Sequence, residues 1–280
     1  MAEPTPLAPA APIRTMRLRK VPVSRGLTWV RMGLTLVARQ PLGFIGLFGM
    51  TLFGTLLLAS LPVLGALAVG VLQPSIWLGF MRASQRALAG ERFGPQVLAE
   101  AWLGRSTPQR LLQLRLGVAY LLAATGALLV AGLLGSGGEA WQAVMEATPE
   151  TRDVALDAPA LQRDLLLALL CYTPVSLAFW HAPALVHWAG HKPGQAIFSS
   201  LVACWHNKGA FFVYGLGWAA LAALLASLLG VLALLLGAQP ALLQVLVFPL
   251  VLALGGAFYA SLYFTVVDCF EQGGTGRATA

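Results

Sequence analysis

Two histidines, His187 and His191, lie four residues apart in the densest cluster of unusual side chains in the sequence. On a helix, that spacing would place both imidazoles on one face, as a metal site requires. No carboxylate or thiol nearby in the sequence completes a ligand set, although His206 and Cys204 could approach it in space. We therefore expect neither a metal nor a cofactor at this cluster.

The same cluster has a simpler interpretation as an anchor at the membrane surface. It runs from Phe179 to Trp188 and mixes aromatic rings with histidines, and amphipathic rings collect where a membrane meets water. We favour anchoring, and a ligand-binding or proton-handling role is the alternative. His181 lies deeper in its apolar segment and is the better functional candidate, because a polar ring inside a bilayer must find a partner.

One acid and six basic residues also stand close to apolar segments. Asp268 could pair with Lys208 or His206, but we favour the interpretation that it marks the membrane boundary. Arginine at a helix centre costs about 2.5–3.5 kcal/mol, so basic side chains should extend toward lipid headgroups. The expected contacts with anionic lipid are Arg82, Arg86, Arg110, Arg115, Lys192 and Lys208.

Long apolar segments must hold these side chains in place. The chain is 58% hydrophobic and only 10% charged, whereas a soluble domain carries about 25% charged residues. Six nearly uncharged blocks are each long enough to cross about 30 Å of hydrocarbon. The predicted spans are residues 42–61, 62–81, 116–135, 165–186, 210–236 and 241–267. We predict an all-α polytopic membrane helix bundle with amphipathic helices at its cytoplasmic surface.

The basic residues are distributed unevenly around these spans. Of 18 Lys and Arg residues, all but Arg152 and Arg163 flank span ends that share one side of the membrane. The positive-inside rule then places both termini in the cytoplasm, with the acidic loop 137–164 outside. Residues 1–23 and 271–280 are predicted to be disordered tails. Because no separate basic domain carries the net charge of +7, we expect no nucleic-acid partner.

Two further patterns concern packing. An amphipathic stretch, a polar step and two spans follow one another three times, starting near residues 24, 93 and 194, so a threefold repeat of hairpin units is an open hypothesis. Small residues let helix backbones approach closely, and we expect ordinary close packing along the first span. Self-association through the same face is the alternative. The residues concerned are Gly43, Gly46, Gly49 and Gly54.

Several stretches resemble a family of uncharacterised multi-pass inner-membrane proteins from betaproteobacteria. They include the run from Phe179 to Trp188, the segment 207–211 (Asn-Lys-Gly-Ala-Phe) and the closing segment 261–270. The entry to the first span at residues 40–44 is also similar. The resemblance covers nearly the whole chain after its first residues. It implies a location in the bacterial inner membrane and a multi-pass architecture. It implies no activity and no catalytic residue.

Three functional hypotheses follow. The sequence contains no phosphate-binding loop, no HExxH and no GxSxG, and the central parts of the spans carry no Asp, Glu, Lys or Arg. We therefore expect a non-enzymatic accessory, lipid-interacting or assembly protein, whose partners are membrane lipids and a second copy or another membrane protein.

The alternatives would need particular arrangements of side chains. A permease for a small or apolar solute would use spans kinked at Pro74 and Pro174, around a central cavity lined by His181, Gln73 and Ser75. An intramembrane enzyme, the third hypothesis, would bring together His187, His191, His206 and Cys204.

Overall fold

The computed structural model describes residues 16–103, 105–148, 150–235 and 240–272. Six helical segments in this part of the chain are long and apolar enough to cross a membrane. They are Pro41–Ala59, Leu64–Leu88, Thr107–Leu134, Pro159–Ala189, Lys208–Leu234 and Val247–Cys269. The prediction of an all-α polytopic bundle is confirmed. Helices suit these sequences because lipid offers no partner for backbone polar groups, and a helix satisfies them internally.

The elements follow one another in a simple order. The spans are accompanied by short helices, a 3-10 helix at Pro95–Ala99 and two short strands. The elements are β1 Met16–Leu18, α1 Arg25–Arg39, α2 Pro41–Ala59, α3 Leu64–Leu88, α4 Thr107–Leu134, α5 Glu139–Glu146, α6 Arg152–Leu156, α7 Pro159–Phe179, α8 Ala182–Ala189, α9 Pro193–His206, α10 Lys208–Leu235, α11 Pro240–Cys269 and β2 Phe270–Gln272. A short helix followed by two spans thus occurs three times, and a true repeat stays a prediction.

Several helix boundaries differ from the predicted spans. α4 begins at Thr107, ahead of the predicted start at 116, because the Gln109 side chain accepts a 3.3 Å hydrogen bond from the Ser106 backbone N–H and closes the first turn. The predicted end of the fifth span at 236 lies outside the described residues. We call the side of the bundle with β1, β2 and α9 the terminal end, and the side with α5 and α6 the acidic end.

The two ends of the described chain meet in a small antiparallel sheet. β1 pairs with β2 in the register Met16–Gln272, Arg17–Glu271 and Leu18–Phe270, and Val21 beyond it is buried. The prediction that residues 1–23 and 271–280 are disordered tails is therefore wrong for 16–23 and for 271–272, since the partner strand supplies hydrogen bonds that no local pattern reveals. Residues 1–15 and 273–280 lie outside the described part of the chain.

α1 packs tightly across α10 and α11. A Cβ at Gly33 would lie 2.6 Å from the Ala257 carbonyl oxygen, and one at Gly26 would lie 2.2 Å from that of Ala210. No side chain fits at either position, so these two glycines let the backbones touch. Their buried neighbours on α1, Trp29 and Val30, pack against the same helices.

The glycines of α2 only partly behave as predicted. A Cβ at Gly43 would lie 2.9 Å from the Phe93 ring, and one at Gly49 would lie 3.6 Å from Leu252. At Gly46 and Gly54 it would meet no atom within 4 Å. The expectation of close packing within the chain is thus wrong for Gly46 and Gly54, because both face away from the neighbouring helices, and self-association there stays a prediction.

Candidate functional site

The terminal end is held together by the carboxylate of Asp268, near the end of α11. Arg25 of α1 donates from Nε to Oδ2 at 2.5 Å and from Nη2 to Oδ1 at 3.1 Å. The indole N–H of Trp29, one turn later on α1, donates to Oδ2 at 2.6 Å. The hydrogen bond to Asp268 raises the pKa of the Arg25 guanidinium above its usual value. The alternative that Asp268 pairs with Lys208 or His206 is wrong, because sequence alone does not show that α1 crosses α11. The favoured interpretation, a charge at the membrane boundary, stays a prediction.

Asn207, between α9 and α10, ties the same region to β1. Its side-chain oxygen accepts from the Val21 backbone N–H at 2.9 Å, and its amide donates to the Arg19 carbonyl at 3.0 Å. The side chain is buried, so these bonds satisfy both its donor and its acceptor. The segment from β1 to α1, the junction of α9 and α10, and the end of α11 therefore converge at the terminal end.

His181 occupies the break between α7 and α8 and is fully buried. Its backbone N–H donates to the Ser200 hydroxyl at 2.9 Å, and its Nδ1 lies 3.7 Å from the Cys204 sulfur. Burial raises the pKa of the Cys204 thiol well above its usual range, which leaves it protonated and weakly nucleophilic. Within the described residues, His181 Nε2 has no hydrogen-bond partner.

The structure separates His187 from His191. α8 ends at Ala189, and Gly190 takes a left-handed conformation at φ +68, so the expected shared helical face does not exist. His187 Nε2 accepts from Arg105, which can only donate. His191 lies beyond the helix, where burial lowers its pKa.

The remaining members of the predicted cluster do not assemble around these histidines. His206 is exposed on the last turn of α9. Among the described residues, no three His, Cys, Asp or Glu side chains could together hold a metal ion. Cys204 approaches His181 and not the His187 region.

The basic residues predicted to contact lipid have different surroundings. Arg82 pairs with Glu100 at 2.7 Å, and Arg86 pairs with the same carboxylate, a partner that the sequence analysis missed. Lys208 lies 4.8 Å from the centre of the Trp205 ring. Contact of these residues with anionic lipid stays a prediction. The exposed ones are Arg110, Arg115, Lys192 and Lys208.

A basic groove runs along α1 between α3 and α11. It encloses about 370 Å³. Arg31 and Arg39, both exposed, flank a floor of apolar side chains. Arg39 lies two residues before α2 begins at Pro41, which places the groove at the membrane boundary. Its lining residues are Thr28, Arg31, Met32, Thr35, Leu36, Arg39, Leu88 and Phe264.

The sequence did not predict this groove, although it indicates the polar face of α1 that forms one wall. Thr28, Arg31, Thr35 and Arg39 are spaced three and four residues apart, so they share one helical face. The opposite stripe of α1 is buried against the bundle. What the spacing could not supply is the apolar floor, which comes partly from α3 and α11, at Leu88 and Phe264.

The cavity required by the permease hypothesis does not have the predicted composition. Gln73 lines a cleft of about 560 Å³ among α2, α3, α4 and α7. Ser75 and His181 are buried in the protein and are absent from the lining of that cleft. The predicted set of Gln73, Ser75 and His181 therefore does not share this space.

Comparison with known proteins places this arrangement in a family. The chain is 36% identical over 258 residues to a probable inner membrane protein of Burkholderia thailandensis, and the match covers 91% of this chain and 94% of the relative. The chain belongs to this family of inner-membrane proteins. The resemblance inferred from its tryptophans and histidines is confirmed, and the protein is a multi-pass protein of the bacterial inner membrane. No family model matches the chain, and no solved structure matches it.

Proposed function

We propose that this protein is a non-enzymatic accessory protein of the inner membrane that binds anionic phospholipid at its cytoplasmic surface. The observation that supports the proposal is the basic groove. Each of its two guanidinium groups suits a phosphate, since arginine forms paired hydrogen bonds with phosphate oxygens. Its floor of Met32, Leu36 and Phe264 suits the first carbons of an acyl chain.

The proposed orientation supports the lipid assignment. Nearly all Lys and Arg residues flank the terminal end, so the positive-inside rule would place that end in the cytoplasm. Anionic lipid attracts basic residues near the membrane surface by about 1 kcal/mol each. Arg31 and Arg39 together would then favour anionic over zwitterionic lipid by about 2 kcal/mol, or about thirtyfold.

The test measures retained lipid. The purified protein is placed in nanodiscs of mixed phosphatidylglycerol and phosphatidylethanolamine, released, and examined by native mass spectrometry. We expect the wild type to retain phosphatidylglycerol, and the Arg31→Gln/Arg39→Gln variant to lose about a factor of ten or more of that preference.

A matched control removes the same charge at the acidic end. Arg152→Gln/Arg163→Gln should retain lipid as the wild type does, because both residues lie far along the chain from the groove and belong to α6 and α7. Equal loss in the two double variants, or no preference in the wild type, would contradict the proposal.

A permease for a small or apolar solute is the second candidate. The observation that favours it is the Gln73 cleft, which opens space between spans. Liposomes that contain the protein would then pass small neutral solutes faster than empty ones, and swelling measured by light scattering would show it. The accessory function is better supported, because Ser75 and His181 do not line that cleft.

A further inference from the structure

The cleft among α2, α3, α4 and α7 has features of a ligand site that differ from those of the basic groove. Small residues on its walls, including Ala66, Gly70 and Ala124, leave a space of about 560 Å³. Gln73, Tyr120 and Tyr172 bring polar atoms to one end of this space.

The polar end lies deep in the membrane and the other end lies near its surface. Tyr120 is close to the middle of α4, which runs from Thr107 to Leu134. Leu128, eight residues nearer the acidic end, is 52% exposed. At 1.5 Å per residue the cleft therefore extends about 12 Å from its polar floor toward the acidic end.

The polar end of the cleft has hydrogen-bond donors that are not used within the protein. The hydroxyls of Tyr120 and Tyr172 bond to each other, and whichever donates, the proton of the other stays available. The Gln73 amide nitrogen donates to the Tyr259 hydroxyl at 3.5 Å, which uses one of its two protons. Within the described residues, the cleft thus offers at least two protons to an acceptor.

Charge limits what the acceptor can be. The described residues that line the cleft are all uncharged, and an ionised group placed beside them in hydrocarbon would lack a counter-charge. Phosphate and carboxylate heads are therefore disfavoured. An alkyl chain alone would leave the tyrosine and glutamine donors without a partner.

We propose that this cleft binds a neutral lipid whose carbonyl oxygens accept hydrogen bonds from Gln73 and the Tyr120–Tyr172 pair. Its apolar chain leaves the cleft past Leu128 toward the acidic end. Two membrane components share this chemistry, an isoprenoid quinone and a diacylglycerol, and the experiment distinguishes them.

The experiment titrates short-chain probes against the full chain in nanodiscs and counts adducts by native mass spectrometry. The probes are decylubiquinone, dioctanoylglycerol and dodecane. We expect one of the two carbonyl probes to bind at one molecule per chain, and dodecane to compete poorly. Tighter binding of decylubiquinone would assign a quinone, and tighter binding of dioctanoylglycerol would assign a glyceride.

Variants test the assigned contacts. Gln73→Leu and Tyr120→Phe/Tyr172→Phe should each weaken binding about threefold to tenfold, because they remove donors and keep the volume. Ala124→Leu should abolish binding by filling the cleft, which keeps the proposal testable if a polar variant fails to fold. Tyr263→Phe, at the terminal end, is the matched control and should bind as the wild type does.

The outcome is independent of the lipid proposal for the groove. Arg31→Gln/Arg39→Gln should keep its affinity for the carbonyl probe, since those residues do not line the cleft. Equal binding of dodecane and the carbonyl probes, or unchanged affinity in Gln73→Leu and Ala124→Leu, would overturn the proposal.

Discussion

Asp268 accepts hydrogen bonds from Arg25 and Trp29, and these two side chains differ in exposure to solvent. The difference determines how much each hydrogen bond contributes to the stability of the protein. The Arg25 side chain is 36% exposed, so solvent screens its ion pair with Asp268. Trp29 is fully buried, and its indole N–H would have no water to bond if the carboxylate were removed. The Trp29 contact should therefore contribute more to stability than the closer ion pair.

Removing the carboxylate should destabilise the protein more than removing the arginine. We expect Asp268→Ala to lower the free energy of unfolding by about 2–3 kcal/mol, because it leaves a buried donor unpaired. Arg25→Gln should cost about 1 kcal/mol or less. Reversible unfolding in mixed micelles, followed by tryptophan fluorescence, would measure both.

The exposed Arg92 provides a control for the arginine substitution. Arg92→Gln should leave the unfolding free energy within about 0.5 kcal/mol of the wild type. If Arg25→Gln proved as costly as Asp268→Ala, the ion pair and not the indole contact would dominate, contrary to this account.

At the scale of elements, the position of α1 depends on two glycines that carry no side chain. Gly26 and Gly33 face α10 and α11 at distances where a Cβ cannot fit. Without a Cβ at these two positions the backbone of α1 can approach α10 and α11 closely, which adds van der Waals contact between the helices. The basic groove is lined by residues of both α1 and α11, so its shape depends on this contact.

Gly33→Ala and Gly46→Ala form a matched pair that isolates helix packing. Alanine favours a helix over glycine by about 1 kcal/mol, so Gly46→Ala, which meets no atom within 4 Å, should be neutral or stabilising. Gly33→Ala should destabilise, because its Cβ would lie 2.6 Å from the Ala257 carbonyl oxygen. Thermal unfolding midpoints of the two variants would be compared.

The sign of the difference is the deciding result. A rise in the midpoint for Gly33→Ala would mean that α1 can move away from α11 at no cost. A fall for Gly46→Ala would instead point to a second molecule packed on α2, and cross-linking would then detect a dimer.

On the scale of the whole molecule, the proposed orientation can be tested with impermeant thiol reagents. In a background with Cys171, Cys204 and Cys269 replaced by alanine, Gln142→Cys in α5 and Gln96→Cys in the 3-10 helix each add one exposed thiol. In spheroplasts, Gln142→Cys should react at once, and Gln96→Cys only after the membrane is permeabilised. The reverse pattern would place the terminal end outside.

The spans were predictable from sequence because hydrocarbon thickness fixes their length, whatever the helices pack against. The bond between Arg25 and Asp268 was not predictable, because 243 residues separate the two. The sequence around neither residue indicates that the other is its partner. The helix end at Gly190 separated His187 from His191 where spacing alone joined them. Six of the eight residues that line the basic groove lie on α1, but the other two, Leu88 and Phe264, come from α3 and α11 and could not be assigned to it from sequence.

The pairing of α1 with the end of α11 fixes the order of events during synthesis. α1 leaves the ribosome early, yet its partner emerges only 243 residues later, which at about 5–20 residues per second means about 12–50 s. α10, which also packs against α1, is made before α11, so α1 can dock on α10 first. The last helix to be made thus completes the docking of the first, and a nascent chain that stalls before it would lack the bonds of Asp268 to Arg25 and Trp29.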